Sequence, residues 1–353
     1  MKTILRGLGT ANPPLYVTQE EAYHSLSTQF ALKPEELTMY RRILLDGKIK
    51  GRYLGMETKS DAHDMDMDRL IARFLKFGRS TAVEAARRAL AEAGVKPAEI
   101  KGLIVNTCTG YLCPGFSSYI AEELGLPTSI RFFDLMGMGC GAAIPNLEAA
   151  TGMLVRNGDG PVLSVAVEIC SATIYPSHEP ELVVSNCIFG DGAAAAVLDI
   201  VPDNCTDGLA SIVDFTSGLF PQYREDLRYR TEGGRLRNCL AKRVPVIGAK
   251  TATEVSSRLL DRHGLSRSDI DWWAVHPGGT VVLDQVAKKL KLPDNALRSS
   301  YKVFENYGNM SSPSVLFVLR DILDNGHPQP GQKGMLLAFG AGFSAFSALI
   351  EFE

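Results

Sequence analysis

The sequence lacks any run of about 18 uninterrupted apolar residues, the length that a membrane-spanning helix requires. It also lacks an excess of charge of one sign, because 37 Lys and Arg residues stand against 40 Asp and Glu residues in a chain of 353. Such a balance does not indicate a nucleic-acid partner. The first residues reach Gly7 without the apolar run of a signal peptide. These absences predict a soluble cytoplasmic protein with neither a nucleic-acid nor a membrane partner.

Cysteine and histidine patterns that mark metal sites are also missing. The seven cysteines are an odd number, and none belongs to a Cys-x-x-Cys pair or accompanies closely paired histidines. Zinc binding and a disulfide framework are therefore not indicated. Reduced thiols in the cytosol are the simplest interpretation, and we predict no metal site.

The most informative feature that is present is an internal repeat. A helix ending at Gly94, a polar turn ending in Ile100 and an apolar strand recur as a helix ending at Gly264, a turn ending in Ile270 and a second apolar strand. The two turns are offset by 170 residues, and later correspondences fall near 168. We therefore predict an α/β fold built from two duplicated halves, 1–210 and 211–353.

Each half is expected to contribute the same elements in the same order. The first half should end in two strands, 162–168 and 187–198, and the second should contain a strand after Pro293 as the counterpart of the strand 130–135. The charged stretch 214–237, which contains proline and several glycines, is predicted to be an exposed excursion between the halves.

Cys140 lies among small residues between the strand-like run 130–135 and a helix predicted over 142–154. A cysteine at such a junction lies near unpaired N–H groups and the positive end of the helix dipole, which favour the thiolate. Pro145, early in this helix, is expected to disturb a turn. The local pattern predicts a nucleophile.

The duplication supplies partners for this cysteine. At an offset near 168, Cys140 corresponds to Gly308 and Asn309, and His276 corresponds to Asn106. Two halves related by a pseudo-twofold axis would bring Cys140, His276 and Asn309 together as a nucleophile, a base and an amide donor. The two donors could hold the oxygen that develops charge in acyl transfer, or stabilise the enolate left when a malonyl group loses carbon dioxide. Taken singly, each residue could instead be a buried thiol or a turn residue.

At this point the sequence resembles the type III polyketide synthases, the chalcone and stilbene synthase group, and in particular a bacterial-type member. The resemblance covers about the whole chain and is carried by five segments: Met138–Gly141, Phe189–Ala194, Val275–Gly279, Tyr307–Ser312 and Ala338–Gly342. It implies a thiolase-like fold with a five-layer αβαβα core, a homodimer, an acyl-CoA starter, malonyl-CoA as extender and no cofactor. It also implies that Cys140 holds the growing chain while His276 and Asn309 drive decarboxylation and condensation.

The same resemblance implies further contacts. Those with the substrate are Phe189 at the cavity entrance, then Cys108, Cys113, Cys170, Thr173, Asn238, Gly278, Gly340 and Ala341. Those with coenzyme A are Arg42, Lys50 and Ser311. Asn238 falls where the plant enzymes have a second gating phenylalanine, so the usual plant substrates are not expected.

Two other functions remain open from the sequence. One is a single-condensation β-ketoacyl synthase III-like enzyme, which would release a β-keto thioester where an iterative enzyme would release a pyrone or phenolic product. The other, more distant, is a dinucleotide-binding protein that uses Gly137-x-Gly139-x-x-Ala142. The acidic residue which that fingerprint needs about 20 residues further on is absent, since the nearest candidate is Glu168.

Overall fold

The computed structural model describes residues 1–157, 160–174 and 179–353. Within them the chain forms thirteen β-strands and ten α-helices, and no helix combines the length and apolarity needed to cross a membrane. In chain order the elements are β1 (Lys2–Ala11), β2 (Leu15–Thr18), α1 (Gln19–Gln29), α2 (Pro34–Leu44), β3 (Gly51–Leu54), α3 (Met67–Ala93), β4 (Gly102–Thr107), α4 (Phe116–Leu124), β5 (Arg131–Met136), α5 (Ala143–Asn157), β6 (Val162–Ile169), α6 (Pro180–Ile188), β7 (Asp191–Val201), β8 (Ala210–Leu219), β9 (Leu227–Glu232), β10 (Arg235–Leu240), α7 (Val244–Arg262), β11 (Trp272–Val275), α8 (Thr280–Leu290), α9 (Arg298–Tyr307), α10 (Ser314–Asp321), β12 (Lys333–Gly340) and β13 (Ser344–Phe352).

Nine of the described strands form one mixed sheet in the order β11-β12-β13-β8-β1-β7-β6-β4-β5. Within this sheet the two halves of the chain meet at the short antiparallel pairing of β1 with β8, in which Thr3 faces Ile212 and Leu5 faces Ala210. On one side lie strands of the first half and on the other side strands of the second half. The predicted boundary at residue 210 falls at the start of β8 and stays a prediction.

The inner strands of the sheet, such as β4, β6 and β12, are buried on both faces because each face packs against a different layer of helices. Ile104 of β4 belongs to a central core, whereas its neighbours Leu103 and Val105 belong to an outer core. In β12, Leu336 lies in the central core and Met335 in the other outer core. This alternation follows from the two-residue period of a strand.

The helices complete the five layers. α5 and α10 lie in the central core, between the two parts of the sheet. α3 and α4 cover the outer face of the first part, and α7 and α8 cover the outer face of the second. The architecture is the thiolase-like αβαβα arrangement, and it places the segments after β5 and β11 near the seam between the halves.

Three local predictions were wrong. Cys187 lies in the last turn of α6, and the strand predicted from Cys187 begins only at Asp191. Residues 214–219 lie within β8, which pairs along its length with β13 and so belongs to the sheet. The chain after Pro293 forms helix α9 and no strand, since Ser300, Val303 and Phe304 recur at helical spacing on its buried face.

Candidate active site

A cavity of about 420 Å³ is lined by Cys140, His276 and Asn309 together. The three residues come from different elements: the turn between β5 and α5, the end of β11, and the turn between α9 and α10. Most of the remaining wall is apolar, as in a pocket that accepts an acyl chain. The structure thus brings together the three residues that the internal repeat predicts to meet.

Cys140 lies in a single 3₁₀ turn, Gly139–Gly141, just before α5. The Ser311 hydroxyl donates to its Sγ at 3.4 Å. Burial raises the pKa of the Cys140 thiol to about 12, and the Ser311 hydrogen bond opposes this only in part. The expectation of a standing thiolate was therefore wrong, because desolvation outweighs the helix dipole. Pro145 is the third residue of α5, where its missing N–H removes no helical hydrogen bond, so it does not disturb the helix.

His276 follows β11 directly and is 1% exposed. Its backbone N–H donates to the Leu337 carbonyl at 2.8 Å, and its ring packs edge-on against Phe339 with centroids 6.1 Å apart. Among the described residues its Nδ1 has no hydrogen-bond partner. Burial lowers the pKa of His276 to about 3, so the imidazole is neutral and available as a base.

Asn309 is fixed through its backbone and its side chain. Its N–H donates to the Ile188 carbonyl at 2.8 Å, and its carbonyl accepts from the Gly190 N–H at 3.0 Å. Its Oδ1 accepts from the Ser311 N–H at 2.8 Å. Because the amide oxygen is already bonded, the NH₂ group is left as the donor toward the cavity.

A buried carboxylate beside Cys140 was missed by the sequence reasoning. Glu168 is 0% exposed and accepts from the Ser312 hydroxyl at 2.6 Å, the Thr109 hydroxyl at 2.9 Å and the Cys108 N–H at 2.9 Å. Burial raises its pKa, and these hydrogen bonds oppose that rise. No local pattern signalled it, because its donors come from segments distant in the sequence.

The predicted substrate contacts fall into two groups. Phe189 and Gly278 line the cavity. Cys108 lies deeper, with its Sγ 3.5 Å from Ser311 Oγ. Thr173 donates to the Cys170 carbonyl at 2.8 Å and lies 3.4 Å from the hydroxyl of a residue in β9. Cys170 is fully buried beside it.

That β9 residue is Tyr229, which the sequence reasoning left in an exposed stretch. It is half-buried, and burial together with the nearby Cys170 and Cys108 thiols raises its pKa well above the usual value. Asn238 of β10 lies directly opposite it in the β9–β10 hairpin and is 5% exposed. The hairpin therefore closes one side of the thiol-rich region.

The remaining residues predicted to contact the substrate do not line the cavity. A Cβ atom on Gly340 would come 2.3 Å from the Met138 carbonyl oxygen, and one on Gly139 would come 2.7 Å from Ala341 N. Gly340 and Ala341 thus press against the backbone of the nucleophile turn, so they support this turn and do not form cavity wall. Cys113 is exposed on the surface.

Arg42, Lys50 and Ser311, the contacts predicted for coenzyme A, are not among the residues that line the cavity, and their roles stay predictions. Ser311 is 2% exposed and lies beside Cys140. Lys50 forms an ion pair with Glu305 at 2.9 Å, and Arg42 is exposed on α2. The exposed lysines that line the cavity are Lys48 and Lys242. Lys48 lies two residues before Lys50, one of the contacts predicted for coenzyme A, whereas no sequence pattern indicated Lys242.

The described residues contain no group of three or more His, Cys, Asp or Glu side chains that could hold a metal ion. The glycine-rich turn proposed for a dinucleotide is covered by the chain, since Gly139 abuts Ala341. A thiolase-like fold with a cysteine, a histidine and an asparagine at one buried cavity defines an acyltransferase.

Comparisons with known proteins narrow this class. The family model "FAE1/Type III polyketide synthase-like protein" matches residues 14–213, and "Chalcone and stilbene synthases, C-terminal domain" matches residues 216–351. The chain is 30% identical to the 3,5-dihydroxyphenylacetyl-CoA synthase of Streptomyces toyocaensis, over 98% of this chain and 89% of that one. It is also 30% identical to the 1,3,6,8-tetrahydroxynaphthalene synthase of Streptomyces peucetius subsp. caesius, over 99% and 93%.

A solved structure agrees with these matches. The polyketide synthase PKS-I of the brown alga Ectocarpus siliculosus superposes with a TM-score of 0.91 at 28% identity, covering 100% of this chain and 98% of that one. The chain belongs to the type III polyketide synthase family. The single-condensation and dinucleotide-binding alternatives are not favoured.

Proposed function

We propose that this protein condenses an acyl-CoA starter with malonyl-CoA by repeated decarboxylative Claisen condensation, giving a pyrone or a phenolic polyketide. The observation that carries the proposal is the convergence of Cys140, His276 and Asn309 on one largely apolar cavity. The phenolic products named for the two Streptomyces relatives support the same product class. The substrates are CoA thioesters, and no step requires a further cofactor.

In the loading step His276 accepts the proton of the Cys140 thiol as Sγ attacks the thioester carbonyl of the starter. The tetrahedral oxyanion is stabilised by the Asn309 NH₂ group. When the intermediate collapses, the C–S bond to coenzyme A breaks and His276 returns the proton to the departing thiolate. The acyl group is then held on Cys140, and free coenzyme A leaves.

In the extension step malonyl-CoA loses its carboxylate as carbon dioxide, and the electron pair of the broken C–C bond forms an enolate. The enolate oxygen accepts hydrogen bonds from His276 and Asn309, so that no charge is left unpaired in the buried site. The enolate carbon attacks the thioester carbonyl on Cys140, the C–S bond to Cys140 breaks, and Sγ leaves as a thiolate that takes up a proton from water. The released chain is a β-ketoacyl-CoA. Reloading of this chain on Cys140 permits further rounds.

The entrance suits the coenzyme A arm. Lys48 and Lys242 offer cations for its phosphates, and the apolar side chains of Ile43, Ile49 and Val244 line the passage. Phe189 also lines this cavity. Coenzyme A would therefore lie with its phosphates at the surface and its thioester at Cys140.

A second copy of this chain is the partner that we propose for the edge strand β5. Phe132 and Phe133 are 61% and 55% exposed, and Met136 is 42% exposed on the same strand. Tyr111, in the loop that follows β4, is 72% exposed. An unpaired sheet edge with large exposed apolar side chains is an interaction surface, so a homodimer would cover it.

The test is to incubate the protein with a panel of acyl-CoA starters and malonyl-CoA and to identify the products by mass. Pyrones or phenolic rings are expected, whereas a β-keto thioester alone would point to a single condensation. Cys140→Ala should abolish product and the acyl-enzyme, and Cys205→Ala, a half-buried thiol outside the cavity, should abolish neither. Product formation by Cys140→Ala would refute the nucleophile.

The role of Asn309 is tested against a control at Asn306, three residues earlier in the chain. Asn309→Ala should lower malonyl-CoA decarboxylation by about 10²-fold, the usual effect of losing one oxyanion donor. Asn306→Ala removes a side chain that only donates to the Lys302 carbonyl on α9, and it should leave decarboxylation unchanged. Equal rates in the two variants would remove Asn309 from the mechanism.

A further inference from the structure

Arg52 is a buried cation whose hydrogen bonds go to neutral oxygen atoms. It lies in β3 and is 3% exposed. Its Nε donates to Gln19 Oε1 at 3.0 Å, and its Nη1 donates to the carbonyls of Asn186 and Phe189, each at 2.7 Å. No carboxylate accepts one of these hydrogen bonds, although the buried Asp191 lies near enough to favour the charge; burial lowers the pKa of Arg52 all the same. Burying a guanidinium in this way is costly, so its retention indicates a specific task.

That task is visible at the C-terminus of α6, where the last carbonyls of a helix need outside donors. Arg52 donates to the carbonyls of Asn186 and Phe189, and the Gln19 Nε2 donates to the Cys187 carbonyl at 3.0 Å. The remaining carbonyl, that of Ile188, accepts from the Asn309 N–H at 2.8 Å. A positive charge at this end of a helix is also favoured by the helix dipole.

The aliphatic stem of Arg52 packs between the two segments that these hydrogen bonds join. A Cβ atom on Gly308 would lie 3.0 Å from Arg52 Cγ and Cδ, and one on Gly190 would lie 3.4 Å from Arg52 Cβ. Gly190 and Gly308 flank Phe189 and Asn309, which form a parallel bridge with each other. One side chain therefore contacts both the cavity-lining phenylalanine and the catalytic amide segment.

We infer that Arg52 is a positioning residue, which holds the end of α6 against the Asn309 turn and thereby sets the place of the Asn309 NH₂ group relative to Cys140. The inference rests on the proposed function of Asn309. Without the guanidinium, the carbonyls of Asn186 and Phe189 lose their donor, and the α6 end can move away with the backbone of Asn309. A displacement of about 1 Å at a catalytic group costs about 10²-fold in rate.

The experiment separates the Asn309 amide from the rest of the site. Malonyl-CoA decarboxylation depends on the amide, whereas alkylation of Cys140 by iodoacetamide, followed on the peptide that contains it, depends on the thiol and His276. In Arg52→Met the kcat for decarboxylation should fall by about 10²-fold, while the alkylation rate stays at the wild-type value. Arg52→Lys, which keeps a donor and the charge, should recover part of the lost rate.

Arg73→Met is the matched control, since Arg73 is also buried and donates to carbonyls, which in the described part of the chain are those of Ser171 and Asp61 and not those of α6. It should leave both rates unchanged. If Arg52→Met lowers both rates by the same factor, or leaves decarboxylation intact, the inference is wrong. If Arg52→Met does not fold, Arg52→Lys is measured in its place. The inference is then wrong if Arg52→Lys lowers both rates by the same factor or leaves decarboxylation intact. Failure of the proposed function is a different result, namely a wild-type protein that does not decarboxylate malonyl-CoA.

Discussion

The nucleophile turn leaves no space for a methyl group on Gly340, and this gives a quantitative prediction. A Cβ atom there would lie 2.3 Å from the Met138 carbonyl oxygen, 2.7 Å from Gly141 N and 3.0 Å from Cys140 N. All three are backbone atoms, so no side-chain rotation relieves the contact. The turn, or the end of β12, must move by at least 0.7 Å to restore a separation of 3.0 Å from the carbonyl oxygen.

Gly340→Ala should therefore lower the activity more than the stability. Overpacking of this kind typically costs about 1–3 kcal/mol, which a folded protein of ordinary stability survives. A shift approaching 1 Å at Cys140 should reduce starter loading by about 10²-fold. The measurements are urea unfolding and the rate of acyl-enzyme formation, followed by intact mass.

Gly152→Ala is the control. Gly152 lies in α5, the helix that follows the same turn, and a Cβ atom there meets nothing within 4 Å. This variant should gain up to about 1 kcal/mol from helix propensity and load the starter normally. The reasoning fails if Gly340→Ala loads the starter as fast as Gly152→Ala does.

Four further predictions concern the site and the exposed edge strand. The pKa values are about 3 for His276 and about 12 for Cys140, so both groups stay neutral between about pH 5 and 9 and exchange their proton internally. The kcat/KM for loading should therefore not vary with pH in this range. A bell-shaped pH profile with a limb near pH 6.5 would contradict this. Because the pKa of His276 is depressed, only the unfolded state binds a proton at this residue as the pH falls below 6.5. The free energy of unfolding, measured with urea, should therefore fall by about 1.4 kcal/mol per pH unit. His276→Phe should lack this contribution. Tyr229→Ala should open space beside the buried thiols and shift the preferred starter toward bulkier acyl groups, as measured by competition between two starters. Phe133→Asp should produce monomers in light scattering, because it places a charge in the exposed face of β5.

The sequence was most informative where chain-local patterns decide structure. The repeat predicted two duplicated α/β halves, and the offset of about 168 residues paired Cys140 with the Asn309 turn and His276 with Asn106. These correspondences need only helix caps and strand periodicity, which are local. The family resemblance implied the five layers and the same three residues.

The remainder could not be predicted because it depends on partners distant in the sequence. Glu168 acquires its environment from donors on β4, in the loop that follows β4 and in the turn before α10. Arg52 belongs to no pattern that sets it apart in the sequence, and only its hydrogen bonds to the end of α6 indicate its role. The thiol of Cys140 looked acidic from its position before a helix, whereas its burial, which only the fold reveals, raises its pKa.

The two halves also explain why one cavity, and not two, carries the chemistry. Asn106, the last residue but one of β4, matches His276 after β11, but both ends of its amide are bonded within the core. Its Oδ1 accepts from Asn146 Nδ2 at 2.8 Å, and its Nδ2 donates to the Ser312 hydroxyl at 2.8 Å. Ser312 in turn donates to Glu168. In the first half this position therefore supports the carboxylate beside Cys140, while in the second half the same position presents a neutral imidazole to the cavity. Because the nucleophile, its supporting carboxylate and the base are divided in this way between the copies, neither half contains a complete site, and the seam between them is where the chemistry has to occur.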